Sequence, residues 1–183
     1  MKSKLLFLLI VPFLLTYCAP KETDGPLPAE DIVKMAMKQA KKEKKNVIIM
    51  WHASWCGWCH RMDTLMNDPQ IKEYFEANYV VEHLVVMENG EKKALENPGA
   101  MEMMIAYNGE KSGIPFWIIL DKKGELLADS FMRPEGVGLD EPGKNTGCPA
   151  QQEEVDHFIT VLNETANISD EGLKKIAGKF LRK

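Results

Sequence analysis

The 183-residue sequence predicts an α/β domain in which helices flank a central mixed β-sheet, followed by a C-terminal helical extension. Short, continuous apolar runs at 46–51 and 116–120 have the composition of strands that are buried on both faces. The segments between such runs carry apolar residues at helical spacing, and the turn 121–124 joins the last two strands as a hairpin. The resulting order, α-β-α-α-β-α-β-β-α-α, is compatible with few common folds.

The first half of the domain is predicted from periodicity and one local signal. An apolar side running from Ile32 to Ala40 predicts the first helix. Asp68 followed by Pro69 combines an N-cap residue with a proline suited to a first helical turn. The predicted elements are a helix at 31–45, a strand at 46–51, a helix from about 56, a helix from 68 to about 78, and a strand at 79–86.

The second half is predicted in the same way. Asn97 followed by Pro98 repeats the cap-and-proline signal, and Gly109 marks the end of that helix. Ser169 is the predicted N-cap of the last helix. The predicted elements are a helix at 97–109, strands at 116–120 and 125–131, a long loop at 132–149, a helix around 155–162, and a final helix from 169.

The N-terminal segment is predicted to be a secretory signal. Lys2 and Lys4 precede the apolar run 5–15, which is too short to cross a membrane. The stretch 15–18, Leu-Thr-Tyr-Cys, resembles the lipobox of bacterial lipoproteins, in which the cysteine is lipidated; Tyr17 departs from the pattern, and cleavage near Ala19 is the alternative. We therefore predict a signal peptide at 1–17, a tether at 18–30, a domain at 31–165 and a C-terminal helix at 166–183. Cys18 is the predicted lipid anchor of a protein in the cell envelope or periplasm.

The charge balance argues against nucleic acid as a partner. Removal of Lys2 and Lys4 with the signal leaves 21 of the 23 basic residues against 27 acidic residues, a balance of about −6. Binding to phosphates requires a basic surface. We therefore expect protein partners, and contact with a membrane only through the lipid anchor.

The chemical centre predicted from the sequence is Trp55-Cys56-Gly57-Trp58-Cys59-His60, between the first buried strand and a helix. A cysteine at a helix N-terminus meets free backbone N–H groups and the positive end of the helix dipole, which favour the thiolate. A second cysteine three residues later lies one turn further along, where it can attack a mixed disulfide formed by the first. Cys56 is the predicted nucleophile and Cys59 the predicted resolving thiol.

Residues 46–131 resemble the thioredoxin superfamily, particularly small bacterial members with a W-C-x-W-C-H motif. The resemblance lies in three stretches: residues 53–59, the helix start at 67–69, and Gly113-Ile114-Pro115-Phe116. It implies a thioredoxin-like fold and a redox-active disulfide without any tightly bound cofactor. It also implies that Pro115 is a cis-proline beside the cysteines, and that Ile114 offers its backbone to extended substrate peptides.

Four neighbours of the cysteines are predicted to support the reaction. Trp55 and Trp58 are expected to form the rim of a substrate groove around an exposed dithiol, and His60 is expected to tune the thiolate. Gly57 and Trp58 replace the Gly-Pro that is usual in thioredoxins. In thioredoxins a buried aspartate accepts the proton of the resolving cysteine; this sequence has Met50 at that position and lacks the aspartate. Neither the redox potential nor the direction of the reaction is therefore predicted.

Other interpretations of the same residues remain open. The stretch 56–60 also satisfies C-x-x-C-H, the attachment motif of c-type haem, although haem attachment requires neither a buried strand nor Pro115. A zinc site would need four well-spaced ligands, and no second pair of suitable spacing accompanies the motif, so we predict no metal. A structural disulfide of this spacing closes a small loop and stabilises little.

The prediction is an exported thiol–disulfide oxidoreductase that acts on the cysteines of exported proteins, with a membrane dithiol carrier as a possible electron donor. The alternative from another class is a non-catalytic envelope module that binds partners in the groove around Pro115. Cys148, at the predicted entrance to a helix, is expected to be somewhat activated, and its default interpretation is a bystander.

Overall fold

The computed structural model describes residues 25–182, so the predicted signal and Cys18 lie outside the described residues. The helices, in chain order, are α1 (Ala29–Glu43), α2 (Gly57–Met66), α3 (Lys72–Asn78), α4 (Ala100–Ala106), α5 (Gln152–Thr165) and α6 (Asp170–Phe180). The strands are β1 (Asn46–His52), β2 (Tyr79–Val85), β3 (Phe116–Leu120), β4 (Leu126–Asp129), β5 (Phe131–Met132) and β6 (Lys144–Asn145). Two 3-10 segments, Gly90–Leu95 and Gly109–Lys111, flank α4.

The central sheet is mixed, as predicted, and its strand order is β2-β1-β3-β4. Strand β1 pairs in parallel with β2 and antiparallel with β3, and β3 pairs antiparallel with β4 across the predicted hairpin. The five inner residues of β1 and all five residues of β3 are buried, which explains their continuous apolar composition. Strand β1 therefore lies in the middle of the fold, and the loop after it carries Cys56.

Helices cover both faces of the sheet and enclose one hydrophobic cluster on each. Helices α2, α3, α5 and α6 pack on the face that contains Ile48, Met50 and Trp117. Helices α1 and α4 pack on the opposite face, around Ile49 and Trp51. The C-terminal helix α6 contributes its fully buried Phe180 to the first cluster. All residues of these two clusters lie between Ala29 and Phe180.

Several predicted boundaries are wrong because polar side chains make other hydrogen bonds. Asp68 does not cap a helix that begins at 68; its Oδ1 accepts from Gln70 N–H in a turn, and α3 begins at Lys72. Asn97 does not cap α4 either. Its Oδ1 accepts from Val85 N–H at 2.7 Å, which closes the end of β2, and α4 begins at Ala100.

Three further boundaries differ from those predicted. Helix α1 begins at Ala29, two residues inside the predicted tether, and α4 ends at Ala106 rather than at Gly109. The strand predicted at 125–131 is divided, because Phe131 leaves the sheet and pairs with Asn145. The predicted loop 132–149 therefore contains β6. Across residues 25–182, no helix is both long enough and apolar enough to cross a membrane.

Candidate active site

The site is built around a disulfide between Cys56 and Cys59 at the start of α2. Strand β1 ends at His52, and Cys56 N–H donates to Ala53 O at 3.0 Å, so the chain turns immediately before the first cysteine. Cys56 is the N-cap of α2, and its Sγ accepts from Cys59 N–H at 3.1 Å. This contact places an N–H dipole beside the sulfur, where it stabilises negative charge when the disulfide is reduced.

The pair is less exposed than predicted. Cys56 is 3% exposed and Cys59 is fully buried, because Ala53 and Ile114 pack against them. Trp55 and Trp58, in contrast, are 54% and 46% exposed. The two tryptophans thus stand at the surface while the sulfur atoms lie below it, and the expectation of an exposed dithiol is wrong.

The loop before β3 lies against the disulfide. The Ile114–Pro115 peptide bond is cis, as the resemblance implied, and Ile114 O lies 3.6 Å from Cys56 Sγ. The two motifs, separated by almost 60 residues in the sequence, are therefore in contact. The backbone of Ile114 is placed where a segment that approaches Cys56 would meet it.

A groove of about 310 Å³ opens beside Pro115, and the predicted long loop forms one of its walls. Asn145 Nδ2 donates to Ser112 O and to Pro115 O, and Trp117 Nε1 donates to Gly147 O at 2.9 Å. These bonds hold the stretch 145–148 against the cis-proline, with Trp58 on the cysteine side of the groove. Sequence reasoning missed this wall, because its position depends on hydrogen bonds between residues about 30 positions apart.

Glu88 holds the loop that carries the disulfide. Ser54 N–H and Ser54 Oγ donate to the two carboxylate oxygens of Glu88 at 2.5 and 2.9 Å. The Glu88 residue is 2% exposed, and the hydrogen bond from Ser54 N–H holds the pKa of its carboxyl below the usual range although burial acts in the opposite direction. Lys92 Nζ, 3.0 Å from Ser54 Oγ, adds a compensating charge. The sequence contains no motif that would have identified Glu88.

His60 and Trp55 engage the same loop. His60 Nε2 lies 2.8 Å from Ser54 O and donates to it in the tautomer that this contact requires. Trp55 Nε1 donates to Met87 O at 2.7 Å, which fixes one side of the exposed indole ring. His60 therefore orients the loop through Ser54.

Two histidines lie on the α2 side of the sheet near this loop. The rings of His52 and His83 meet edge to face at 5.0 Å, and His83 Nε2 lies 2.8 Å from Asp63 Oδ1 of α2. Burial lowers the pKa of His52, and the charge of His83 acts in the same direction. Within the described residues, the buried Nδ1 of His52 has no hydrogen-bond partner. Met50, two residues earlier in β1, is fully buried in the apolar core.

Cys148 is a free, buried thiol in the groove wall. Burial raises the pKa of its thiol, although the Arg61 guanidinium, 3.1 Å from Sγ, acts in the opposite direction. The expectation that a helix start would activate it is wrong, because α5 begins four residues later at Gln152. Arg61 also approaches the Trp58 ring at 5.8 Å, so Cys148 and the groove rim are linked through one side chain.

Between residues 25 and 182, no group of three or more histidine, cysteine, aspartate or glutamate side chains is arranged to hold a metal ion. The donors at the site are instead used within the protein: the cysteines bond each other and His60 contacts a backbone carbonyl. The geometry favours chemistry at sulfur.

A Cys-x-x-Cys disulfide at a helix N-terminus, in contact with a cis-proline loop on a mixed sheet, defines a protein of the thioredoxin-fold class. A family model described as thioredoxin-like matches residues 29–122, just over half of the chain. The chain belongs to the thioredoxin-like family. Together, the fold and the cysteine pair support thiol–disulfide oxidoreductase chemistry in general terms.

Several solved structures resemble this chain at low sequence identity, with TM-scores below 0.5. A disulphide isomerase from Xylella fastidiosa Temecula1 is 17% identical with a TM-score of 0.48, over 90% of this chain and 97% of that one. The oxidised C-terminal domain of DsbD from Neisseria meningitidis is 18% identical with a TM-score of 0.43, over 77% and 99%. A putative protein disulfide isomerase from Bacteroides thetaiotaomicron is 21% identical with a TM-score of 0.38, over 67% and 74%. A comparison with curated protein sequences found no match.

Proposed function

We propose that the protein is an exported thiol–disulfide oxidoreductase that acts on cysteines of other exported proteins. The observation that carries the proposal is the environment of Cys56 Sγ, which lies 3.1 Å from Cys59 N and 3.6 Å from Ile114 O. A sulfur atom between a helix N-terminus and a peptide carbonyl is placed both to carry negative charge and to meet an extended backbone. Cys56 is the nucleophile and Cys59 the resolving thiol.

The exchange proceeds in two displacements and moves two electrons. In the reducing direction, the Cys56 thiolate attacks one sulfur of a substrate disulfide, and the other substrate sulfur leaves as a thiolate. Cys59, after loss of its proton, attacks Cys56 Sγ; the Cys56–substrate bond breaks, and the Cys56–Cys59 disulfide forms. The oxidising direction is the reverse, and the reduction potentials of the two pairs decide which one prevails.

The groove beside Pro115 is the proposed binding surface for the substrate. Trp58 and Pro115 line it together with backbone of the stretch 145–148, and Ile114 lies at the end nearest to Cys56. A peptide in extended conformation presents a free N–H to a carbonyl such as that of Ile114 and places one side chain in the groove. Since Cys56 is only 3% exposed, a substrate sulfur must enter between the Trp58 and Ile114 sides to reach it.

The location in the cell envelope is part of the proposal and rests on the sequence of residues 1–18. Export would place the protein beyond the reach of cytosolic reductants, so a reductase would need a membrane dithiol carrier as electron donor. Lipidation of Cys18 is tested by metabolic labelling with a radioactive fatty acid and by fractionation of cells. The Cys18→Ser variant is expected to lose the label; equal labelling of the two proteins would refute the anchor.

Trapping of mixed disulfides tests the chemistry. The Cys59→Ser variant, expressed in its host, is expected to accumulate mixed disulfides between Cys56 and partner proteins, because the resolving thiol is missing. The matched Cys56→Ser variant retains one cysteine of the pair but is expected to trap far fewer partners, because Cys59 is buried. Equal trapping by both variants would refute Cys56 as the nucleophile.

Absence of trapping in both variants would instead favour the non-catalytic binding module. The reduction potential of the pair, titrated in redox buffers with alkylation and mass spectrometry, then gives the direction. A reduction potential of about −250 mV favours a reductase, and one of about −130 mV favours an oxidant. A mass that exceeds the polypeptide by one haem would favour the C-x-x-C-H interpretation.

A further inference from the structure

A basic face lies along the outer side of α1 and continues onto the β3–β4 turn. It is formed by exposed lysines of α1, of the residue that follows α1 and of the turn, around a depression: Lys34, Lys38, Lys41, Lys44, Lys122 and Lys123. Among the described residues, none of these six lysines forms an ion pair. The whole sequence has a net charge of −4, so this concentration of positive charge runs against the overall balance.

Helical spacing explains why the α1 lysines share one surface. Residues 34, 38 and 41 follow each other at intervals of four and three, which places them on the same side of a helix. The opposite side of α1, with the buried Ala36 and Ala40, packs on the sheet. These three lysines therefore form a stripe that points away from the core.

The turn between β3 and β4 extends this stripe. Met37 lies between the lysines and reaches the turn: a Cβ atom placed on Gly124 would lie 3.8 Å from Met37 Cε. This contact brings Lys122 and Lys123 beside α1. The Asp121 carboxylate at the start of the turn accepts hydrogen bonds from the backbone N–H groups of Lys123 and Glu125 and thereby closes the turn.

The turn lysines and the active site lie at opposite ends of β1. Leu120, which precedes the turn, pairs with Val47 at the start of β1, whereas Cys56 follows the end of β1 at His52. A seven-residue strand is about 23 Å long. Helix α1 packs on the face of the sheet opposite to α2, so a flat surface in contact with the α1 lysines would leave α2 and its disulfide on the other side of the sheet.

We propose that the basic face binds an anionic phospholipid bilayer. Two observations select a bilayer as the occupant. Met37 lies among the lysines and Met35, 61% exposed, lies on an adjoining side of the same helix, so the surface combines positive charge with apolar side chains. In addition, α1 is the first element after the predicted lipid anchor. Ten residues separate Cys18 from Ala29, and a chain of that length reaches at most about 35 Å.

The consequence for orientation rests on the proposed anchor at Cys18, but lipid binding by the basic face does not. With the anchor, the lysines would hold the domain against the membrane and present the disulfide to soluble substrates. A basic patch beside such an anchor adds electrostatic attraction to anionic lipids.

The test is flotation with lipid vesicles of the chain from Ala19 onward, which lacks the apolar run and Cys18 but contains all residues of both hydrophobic clusters. The wild-type protein is expected to bind vesicles of phosphatidylcholine with phosphatidylglycerol, and to bind phosphatidylcholine alone far more weakly. Each lysine near an anionic surface strengthens binding about fivefold at low ionic strength. The triple variant Lys34→Gln, Lys38→Gln, Lys41→Gln should therefore bind about 100-fold more weakly.

A matched control removes the same charge elsewhere. Lys93, Lys111 and Lys174 are exposed and lie outside the basic face, so their triple replacement by glutamine is expected to retain most of the binding. Binding of the first variant at wild-type strength, equal loss in both variants, or a wild-type protein that ignores phosphatidylglycerol would each overturn the proposal. The last result is also the one expected if the face binds an acidic protein. Disulfide exchange, measured on the same samples, should be unchanged, so a failure of the proposed chemistry is seen separately.

Discussion

Replacement of Phe180 by alanine tests whether the C-terminal helix is part of the cooperative core. The sequence pattern predicts that this helix lies outside the domain at 31–165, whereas the Phe180 side chain is fully buried and its ring lies 5.0 Å from that of Phe158. Phe158 in turn contacts Phe75 and Trp117 in the same cluster. Loss of a fully buried phenylalanine side chain costs about 3–5 kcal/mol, because the cavity fills only partly.

That cost is large relative to the stability of a single domain, which is about 5–15 kcal/mol. For a chain of this length, each kcal/mol lowers Tm by about 2–4 °C, so the expected decrease is about 6–20 °C. Urea unfolding followed by circular dichroism gives the free energy directly. Lys174→Ala, on the exposed side of α6, is the control and should change stability by less than about 0.5 kcal/mol. A loss below about 1 kcal/mol for Phe180→Ala would show that α6 is only an appendage.

Three other predictions concern pH, the groove wall and the loop of the disulfide. Burial lowers the pKa of His52 and of His157, so both resist protonation in the folded protein. A histidine in the unfolded chain has a pKa of about 6.5, so below that pH the unfolded state binds protons that the folded state does not. The free energy of unfolding should therefore be highest above that pH and decrease as the pH falls; a urea midpoint that stays constant from neutral pH to about 5.5 would contradict this. Gly147 has a φ of 55°, so Gly147→Ala is expected to cost about 1–2 kcal/mol in urea unfolding, and an unchanged midpoint would argue against this backbone conformation. Glu88→Gln exchanges one carboxylate oxygen for an amide donor, and the rate at which the reduced protein attacks a model disulfide is expected to fall; an unaltered rate would show that the loop keeps its geometry without the carboxylate.

The fold was predictable where a local pattern has only one interpretation. The continuous apolar run of β1 predicts a strand that is buried on both faces, and a Cys-x-x-Cys pair before a helix predicts thiol chemistry ahead of a few alternatives. Pro115 was identified from its resemblance to a known motif, and the structure places it beside the cysteines. Predictions of this kind depend on neighbours in the sequence or on a single motif, so they do not require knowledge of the tertiary contacts.

The errors share a different cause. Asp68 and Asn97 have the right chemistry for helix caps, but Asp68 accepts from Gln70 N–H and from Lys179 Nζ of α6, and Asn97 accepts from Val85 N–H. The contacts with Lys179 and Val85 are set by the packed structure. The same holds for Asn145, whose amide finds two carbonyls more than 25 residues earlier in the chain. No local pattern reports which distant backbone group will be nearby, so the groove wall emerged only from the structure.

Ser54 shows how the site combines both kinds of information. The N–H and hydroxyl groups of Ser54 donate hydrogen bonds to Glu88, and its carbonyl oxygen accepts one from His60. All polar groups of Ser54 are therefore engaged, from two sides of the loop. A loop held in this way cannot easily open to expose Cys56, which is buried in the disulfide form. In the proposed reaction, a substrate reaches the sulfur through the groove between Trp58 and the Ile114 carbonyl. Under that proposal, selectivity depends on the groove wall as much as on the cysteines, since the wall limits what can reach them.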